Sequence, residues 1–336
     1  MYVEQVHIVS NVIFGGGEQS LLAMSEGVGE RCKIYLLRQS SEFPNRKNIF
    51  NKSLLKAKHS YGVFDQVINL IYSSFFLIWV LNYNLKRDSN TKIVFHGFPF
   101  QFTLFISFFY FKRNKIFFVY HQNKRLKNAI NYIVGFFESF ILIKSKVNIY
   151  TVSENSRKDL KEYFEHFGIK NISIGIFLNT INPVVKKEEC QKFKSVFKDV
   201  LGRKVFIYPA RFHKEKYHER ILEVAENLTH SEVVFILLGD GPEYNKIANL
   251  ATEREINNVL MPGSISRNCM ASFFNLCDGV IFPSGNESFG LVFYESLYFL
   301  KPVFVWKNDF INLKNIHPIE EIYDFINGNC LYPVSK

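Results

Sequence analysis

The sequence predicts an α/β protein with two parallel sheets that follow one another along the chain. Short apolar runs alternate with amphipathic segments throughout, which is typical of parallel sheets covered by helices on both faces. With 336 residues the chain has about twice the length of a typical domain. Near the middle, Asn182-Pro183 and a charged segment after it interrupt the apolar runs. We therefore expect one domain over residues 1–182 and a second over residues 183–336.

Each unit contains several apolar runs of strand length. In the first unit the expected strands are Val6–Ser10, Lys33–Leu37, Lys92–Phe95, Ile116–Tyr120, Asn148–Val152 and Ile172–Ile176. In the second unit they are Lys204–Tyr208, Val233–Leu238, Val259–Met261, Gly279–Phe282 and Val303–Trp306. Amphipathic segments at Lys216–Leu228 and Tyr244–Arg254 predict two of the helices between these strands.

Composition excludes several classes of protein. A hydrophobic fraction of 47% with 21% charged residues excludes a disordered chain, which could not bury enough apolar surface to offset its conformational entropy. Five scattered cysteines without a C-x-x-C pair argue against a disulfide framework or a structural zinc site, so buried thiols are expected. The first residues lack the basic and then apolar run of a secretion signal, which predicts a cytoplasmic location.

The excess of positive charge lies entirely in the first unit. Residues 1–182 carry 23 Lys and Arg against 12 Asp and Glu, a net charge of +11, whereas the remainder has a net charge of −1. Aromatic runs lie close to basic clusters, including Lys112, Arg113 and Lys115, and polar residues interrupt the uncharged stretch Gln66–Leu85. These features fit an interfacial or buried helix and a peripheral contact with an anionic membrane. An ordinary solvated surface is the alternative, and no nucleic-acid-binding signature accompanies the charge.

The strongest chemical signal lies within residues 282–295. A buried strand ends at Phe282, and Ser288 is placed to cap a helix that opens at Phe289. Backbone amides there, at Phe289, Gly290 and Leu291, would lie at the carboxyl edge of the sheet. Helix N-termini at that edge attract phosphate. Glu287 and Glu295, eight residues apart, can address different parts of one extended ligand, such as a sugar and a ribose.

A pair of cations forms the second signal. Arg211 follows an apolar strand, and Lys216 is expected at the start of the next helix. Two cations directed at a diphosphate neutralise it in the ground state and stabilise the charge of a leaving group. A solvated surface charge is the alternative for either residue alone, but their position one strand-helix unit before the glutamate motif favours a ligand site.

These residues carry a family resemblance. Residues 205–333 resemble the donor-binding domain of glycosyltransferase family four, whose members are retaining enzymes of the GT-B fold that use nucleotide-sugars. The E-x7-E motif of that family matches Glu287 and Glu295, and its Arg and Lys match Arg211 and Lys216. The turn 239–242 resembles the strand-to-helix turn that is common in this family. The resemblance implies two Rossmann-like domains that face each other across a cleft, with the acceptor on the first and the nucleotide-sugar on the second.

The resemblance also implies roles for single residues. Glu295 would hold the ribose hydroxyls, Glu287 would meet the donor sugar, and the two cations would bind the diphosphate. His121, at the end of the strand Ile116–Tyr120, is similar to a family histidine that lies near the donor sugar, with a structural histidine as the alternative. Gly16 and Gly17 resemble the family loop that approaches the diphosphate after the first strand, although a flexible turn would look the same.

The chain departs from the family pattern at several positions. Leu300 and Thr180 replace two glycines. Relatives continue beyond the point that corresponds to Lys336, through helices that cross back onto the first domain. The resemblance therefore implies that the C-terminal crossover helices are missing, which bears on domain closure.

The expected function is retaining transfer of a sugar from a nucleotide diphosphate sugar to a lipid-linked or envelope glycan of the O-antigen, capsule or lipopolysaccharide type. We expect no cofactor and no metal ion, because the cations replace the metal, and no nucleic-acid partner. The expected location is the inner face of the cytoplasmic membrane. A truncated relative that binds nucleotide-sugar or membrane without turnover is the alternative. A Rossmann oxidoreductase is disfavoured, since no G-x-G-x-x-G follows the first strand.

Overall fold

The chain divides into two compact units, Met1–Asn182 and Pro183–Lys336, in a computed structural model. The structure describes residues 5–9, 32–36, 46–50, 91–96, 116–121, 147–177, 191–229, 232–283, 290–306 and 316–326, together with the isolated helical positions 21, 22, 25, 75, 79, 132, 135, 136 and 139. Each unit contains one parallel sheet, and the α/β class predicted from the sequence is confirmed.

The first unit is built on a seven-stranded parallel sheet with the order β3-β2-β1-β4-β5-β6-β7. Its strands are β1 (Gln5–Val9), β2 (Cys32–Leu36), β3 (Ile49–Phe50), β4 (Lys92–His96), β5 (Ile116–Tyr120), β6 (Asn148–Thr151) and β7 (Ile174–Ile176). Helix α1 (Glu154–His166) begins after Ser153, whose hydroxyl accepts a hydrogen bond from the Ser156 amide. The order of the strands reverses direction between β1 and β4, which creates a topological switch point there.

The second unit is built on a six-stranded parallel sheet with the order β10-β9-β8-β11-β12-β13. Its strands are β8 (Lys204–Pro209), β9 (Val233–Leu238), β10 (Val259–Gly263), β11 (Gly279–Phe282), β12 (Val303–Val305) and β13 (Ile316–Pro318). Its helices are α2 (Gln191–Asp199), α3 (His218–Glu226), α4 (Tyr244–Glu253), α5 (Arg267–Leu276), α6 (Leu291–Tyr298) and α7 (Glu321–Ile326). The switch point of this sheet lies between β8 and β11.

Burial of continuous apolar strands explains both sheets. All six residues of β9 are buried, as are all four of β11. Such runs have no polar face to turn toward water, so helices must cover both sides of the sheet. The strands predicted from the sequence are confirmed to within one or two residues, whereas β3 and β13 were not predicted.

One departure from the family pattern has a clear structural consequence. Helix α6 ends in a Schellman motif, in which the Leu300 amide donates to the Leu297 carbonyl and the Lys301 amide donates to the Ser296 carbonyl. Leu300 occupies the left-handed position of that motif, with φ +55°, which ordinarily favours glycine. The chain therefore keeps the helix-to-strand turn and accepts backbone strain at one exposed leucine.

One sequence expectation outside the sheets, on the cysteines, can be compared with the structure, whereas the stretch Gln66–Leu85 lies outside the described residues apart from positions 75 and 79. Cys32 and Cys277 are free and buried, but Cys269 in α5 is disulfide-bonded, so the expectation of unpaired thiols is wrong for Cys269. Among the described residues, no helix combines the length and apolar character that crossing a bilayer requires.

Candidate functional site

The topology brings the predicted cations and one predicted glutamate, Glu295, to the carboxyl edge of the second sheet. Arg211 and Lys216 follow the carboxyl end of β8, and Glu295 lies in α6, which follows β11. Strands β8 and β11 are parallel neighbours, so the segments that leave their carboxyl ends begin side by side. Ligands of open α/β sheets bind in the crevice outside such a switch point.

The segment that carries Arg211 packs against the turn that contains Gly239 and Gly241. The Ala210 amide donates to the Leu238 carbonyl at 2.9 Å, and the Phe212 amide donates to the Asp240 carbonyl at 3.0 Å. A Cβ at Gly239 would lie 2.1 Å from the Ala210 carbonyl oxygen, and one at Gly241 would lie 2.4 Å from that of Phe212. The turn after β9 therefore packs directly against the backbone on both sides of Arg211. This close contact requires glycine at positions 239 and 241, whereas an ordinary turn would not require it at both.

Lys216 does not begin a helix, which corrects the prediction from the sequence. Residues Lys214–Lys216 form a 3-10 turn, and Tyr217 then adopts a left-handed conformation, with φ 50°, before α3 begins at His218. The carbonyl of Lys216 accepts a hydrogen bond from the Tyr208 hydroxyl at 3.0 Å. This contact ties the backbone of Lys216 to β8, the strand that also leads to Arg211.

A buried histidine supports this loop and was not identified from the sequence. His218 is buried, and its ring stacks on Phe212 with 4.0 Å between centroids. Burial and, to a smaller extent, the positive charge of Lys216 lower the pKa of His218 to about 4, although a hydrogen bond to the Ala210 backbone opposes both effects. The ring is therefore neutral at pH 7 and adds no positive charge beside the two predicted cations.

Helix α6 begins later than predicted. Gly290, in a left-handed conformation with φ 71°, is the N-cap, and the first helical residue is Leu291. The predicted helix start at Phe289 is therefore two residues too early, and among the described residues no side chain caps this end. Glu287, Ser288 and Phe289 themselves lie outside the described residues. A glycine cap leaves the space next to the first amides open to a ligand.

Glu295 has a partner that sequence reasoning missed. Its carboxylate lies 3.7 Å from the guanidinium of Arg267, the first residue of α5, and only 16% of its side chain is exposed. Burial raises the pKa of the Glu295 carboxyl, and the Arg267 charge opposes that rise. The two residues are 28 positions apart in the sequence, so their spacing gave no signal, although Arg267, like Arg211, follows a strand.

A second connection joins α3 to the end of β11. The guanidinium of Arg220 donates to the Pro283 carbonyl at 3.0 Å and lies 4.3 Å from the centroid of the Tyr217 ring. The left-handed residue after Lys216 and the residue after β11 are thus held by the same side chain. Arg220 fixes the two loops of the switch point relative to each other.

The first unit presents histidines at its own switch point. His121 directly follows β5, and its Nε2 lies 2.8 Å from Nδ1 of His96, the last residue of β4. Nε2 of His96 lies 2.8 Å from Nδ1 of His7 in β1. His7 and His96 are fully buried, whereas His121 is half-buried. Gly16 and Gly17, predicted to lie near the diphosphate, are outside the described residues.

Burial keeps all three rings neutral. It lowers the pKa of His7 and of His121 to about 4 and that of His96 well below its usual value, with the charges of its two histidine neighbours as further causes. The first unit therefore offers neutral hydrogen-bonding groups where the second offers charges. His7 and His96 each look like a single histidine in an apolar strand, so the sequence contained no signal for their contact.

Comparison with known proteins finds one matching family model and several relatives. Residues 191–315 match the model of the family described as glycosyl transferases group 1. The chain is 28% identical over 109 residues to the O-antigen chain mannosyltransferase C of Escherichia coli, which covers 32% of this chain and 29% of that protein. It is 28% identical over 164 residues to an alpha-monoglucosyldiacylglycerol synthase of Streptococcus pneumoniae, covering 48% and 37%. The matched segments thus span about a third of these relatives.

A solved structure extends the likeness to both units. HepE of Anabaena, crystallised with UDP and glucose, superposes with a TM-score of 0.66 at 15% identity over 97% of this chain and 89% of that one. At this identity the likeness concerns the fold. The chain therefore has the two parallel-sheet domains of the GT-B class, and its residues 191–315 are similar to group 1 glycosyl transferases.

Proposed function

We propose that the protein is a retaining glycosyltransferase of the family-four type, which transfers a sugar from a nucleotide diphosphate sugar to a lipid-linked or envelope glycan. One observation carries this proposal. Arg211 and Lys216 follow β8, and Glu295 follows the neighbouring β11, at the switch point of the sheet whose sequence matches the glycosyl transferase model. No other described part of the chain combines cations and a buried carboxylate at a switch point.

The two cations fit the diphosphate of the donor. Each would form charge-assisted hydrogen bonds with phosphate oxygens, and together they offset the charge that builds on the leaving nucleoside diphosphate. The proposal therefore assigns this neutralisation to Arg211 and Lys216 and requires neither a metal ion nor a cofactor. The open amides after Gly290 add neutral donors for the same group.

Glu295 fits the ribose. A carboxylate that is mostly buried and held by Arg267 is a rigid acceptor, and two ribose hydroxyls are suitable donors. Glu287, which lies in the segment before α6, is assigned to the donor sugar by the E-x7-E resemblance. The resemblance also assigns His121 and the glycines Gly16 and Gly17 to the donor from the first unit.

The proposed reaction retains the configuration at the anomeric carbon. The bond between that carbon and the phosphate oxygen breaks, and the acceptor hydroxyl oxygen forms its bond on the same face of the sugar. The proton of this hydroxyl passes to the departing phosphate oxygen. The protein residues bind and orient the donor and stabilise the diphosphate, while the donor's own phosphate acts as the base.

The acceptor is proposed from the relatives and from the surface of the first unit. One relative is named for an O-antigen chain and the other for a glucosyldiacylglycerol. In the first unit, Phe75 is 71% exposed and Trp79, one helical turn later, is 55% exposed. Together with the net charge of +11 in residues 1–182, this favours peripheral contact with the anionic inner face of the cytoplasmic membrane.

Transfer can be tested with a donor panel. Full-length protein is incubated with UDP-, GDP-, ADP- and dTDP-sugars and with lipid-linked glycans or diacylglycerol as acceptors, and products are identified by mass spectrometry. Anomeric coupling constants then distinguish retention from inversion. Product with retained configuration supports the proposal. Donor binding without product in any combination would instead favour the alternative, a relative that binds nucleotide-sugar without turnover.

Membrane contact can be tested with the two tryptophans of the chain, Trp79 and Trp306. In a Trp306→Phe variant, the emission of Trp79 should shift to shorter wavelength when anionic vesicles are added, and salt should reverse the shift. The matched control is Trp79→Phe, in which Trp306 of the second unit reports no shift. Replacing Lys112, Arg113 and Lys115 by glutamine should weaken vesicle binding. An unchanged Trp79 spectrum at low salt would contradict membrane contact through this helix.

A further inference from the structure

The three histidines of the first unit form a continuous chain from the interior of the sheet to its edge. His7 lies in the middle of β1 and is fully buried, His96 ends β4, and the half-buried His121 follows β5. Both ring-to-ring distances are 2.8 Å, and Nε2 of His7 lies 3.2 Å from Oε1 of Gln5. Among the described residues, every ring nitrogen of the three histidines except Nδ1 of His121 has a partner.

The hydrogen bonds in this series of histidines all run in one direction, from donor to acceptor. A neutral imidazole carries one N–H and one lone pair, so each contact needs a proton from one ring only. Two facing N–H groups or two facing lone pairs at 2.8 Å would be repulsive, and consequently all three rings must be oriented in the same sense. Only two arrangements satisfy this condition, and they differ in which end of the chain donates.

Gln5 selects between the two arrangements. In the structure its Oε1 faces Nε2 of His7 at 3.2 Å, and with the amide in this orientation Nε2 of His7 donates and Nδ1 of His7 accepts. Nε2 of His96 then donates to His7, and Nε2 of His121 donates to Nδ1 of His96. The proton of His121 is thereby directed inward, and its Nδ1 keeps a lone pair.

We propose that His7 and His96 are positioning residues that hold His121 in the tautomer with Nε2 protonated, so that Nδ1 accepts a hydrogen bond from a hydroxyl of the bound sugar. The identity of that hydroxyl donor rests on the proposed glycosyl transfer, whereas the tautomer does not. The lowered pKa values of the three histidines agree with a neutral chain at pH 7.

A neutral chain of this kind gives His121 two properties that an isolated histidine lacks. The ring cannot rotate without breaking a 2.8 Å contact, so its outer edge is pre-oriented. The tautomer is also fixed from a distance, because the acceptor at Gln5 determines the state of all three rings. An apolar core at these positions would avoid burying three polar rings, which argues for a role beyond packing.

The tautomer can be measured without any substrate. In full-length protein labelled with 15N-histidine at pH 7, long-range proton–nitrogen correlations show which nitrogen of each ring is protonated, and His121→Gln identifies the His121 signals. The expected spectrum shows His121 protonated at Nε2. Protonation at Nδ1, or exchange between both forms, would overturn the proposal.

Two variants of Gln5 test whether this residue sets the tautomer of His121 through His7 and His96. Gln5→Glu offers only an acceptor and should preserve the tautomer of His121, whereas Gln5→Lys offers only a donor and should reverse it. Both replace a half-buried side chain at the start of β1 with a charged one, so they are matched in size and position. A His121 tautomer that is the same in both variants would overturn the proposal even if both proteins fold normally.

Kinetics then separate this proposal from the proposed function. We expect kcat of Gln5→Lys to be about tenfold below that of Gln5→Glu, the effect of one neutral hydrogen bond, with similar KM for the donor. A reversed tautomer with equal kcat values would overturn the assigned contact with the sugar. The tautomer of His121 could reverse in Gln5→Lys although neither the parent protein nor either Gln5 variant transfers sugar. In that case the proposed function fails, and the positioning of His121 by His7 and His96 stands.

Discussion

The two switch points of the molecule use opposite electrostatics. In the second unit, Arg211, Lys216 and the Arg267–Glu295 pair place formal charges at the end of the sheet. In the first unit, the corresponding position holds three neutral histidines. The net charges of the two units show the opposite trend: residues 1–182 have a net charge of +11, and the remainder has a net charge of −1. Net charge therefore does not locate the proposed anion site, because a few cations at a switch point matter more than many on a surface.

The largest expected effect that distinguishes the units is their response to acid. The unfolded chain protonates histidine near pH 6.5, whereas His7 and His121 accept protons in the fold only at about 4. Stability is therefore lost as the pH falls from 6.5 toward 4, by about 1.4 kcal/mol per pH unit for each such ring. Among the described residues the first unit has three such rings, His7, His96 and His121, whereas the second has His218 and His317, so we expect hydrogen exchange at pH 5 to accelerate first in the first unit. Equal acceleration in both units would contradict this comparison.

The next effect tests the scaffold of the charged site. Gly239→Ala places a Cβ 2.1 Å from the Ala210 carbonyl oxygen at a backbone φ of +153°. Strain and overpacking should together destabilise the second unit by about 3 kcal/mol in chemical denaturation. Gly202→Ala is the matched control, since its φ is also positive, at +79°, but nothing lies within 4 Å of the added Cβ. Similar losses for both variants would show that the contact with Ala210 is unimportant.

The cation assignment predicts a loss of affinity. Lys216→Ala should weaken binding of nucleoside diphosphate about ten- to a hundredfold, equivalent to roughly 1.5 to 3 kcal/mol for one charge-assisted contact. Lys214→Ala changes an exposed lysine in the same 3-10 turn and should bind normally. Calorimetric titration compares the two, and unchanged affinity for Lys216→Ala would remove this residue from the site.

The glutamates should separate nucleotide binding from turnover. Glu295→Gln should weaken binding of free nucleoside diphosphate, because its carboxylate is assigned to the ribose, whereas Glu287→Gln should spare that binding and lower the rate. Since burial raises the pKa of Glu295, its carboxylate costs stability at neutral pH, and the Gln variant should not lower the thermal midpoint. Equal losses of nucleotide affinity in both variants would contradict the division of roles.

The smallest effect concerns the strained turn after α6. Leu300→Gly should stabilise the protein by about 1 kcal/mol, because glycine adopts φ +55° without the steric cost that leucine bears. Leu201→Gly provides the control, since Leu201 is similarly exposed but does not have a positive φ. That control should be neutral or destabilising, and a stabilisation of both variants would refute the explanation by backbone strain.

The parts of the molecule that sequence reasoning predicted are those with local signals. Continuous apolar runs such as Val233–Leu238 identify central strands, because burial on both faces leaves a long pattern. Strand β3 has two residues, and β13 ends in Pro318, so neither shows such a pattern. The start of α6 was misplaced because Ser288 is a good capping residue, whereas a left-handed Gly290 is what the structure uses.

The residues of the candidate site also divide into those with a local sequence signal and those without one. Arg211 and Lys216 could be predicted because both follow one strand within a short segment. The Arg267–Glu295 pair and the His7–His96–His121 chain could not, because their members come from separate strands and helices and meet only through the order of the strands. Long-range contacts of this kind depend on topology, which a single sequence reveals only through resemblance.

One measurement tests the central claim that the charged switch point of the second unit binds the donor. Hydrogen exchange of the full-length protein is recorded with and without the nucleoside diphosphate that stabilises it most in a thermal panel. We expect slower exchange in the segments around Arg211–Lys216 and Leu291–Glu295. Slower exchange confined to the first unit, or no stabilisation by any nucleoside diphosphate, would contradict the claim.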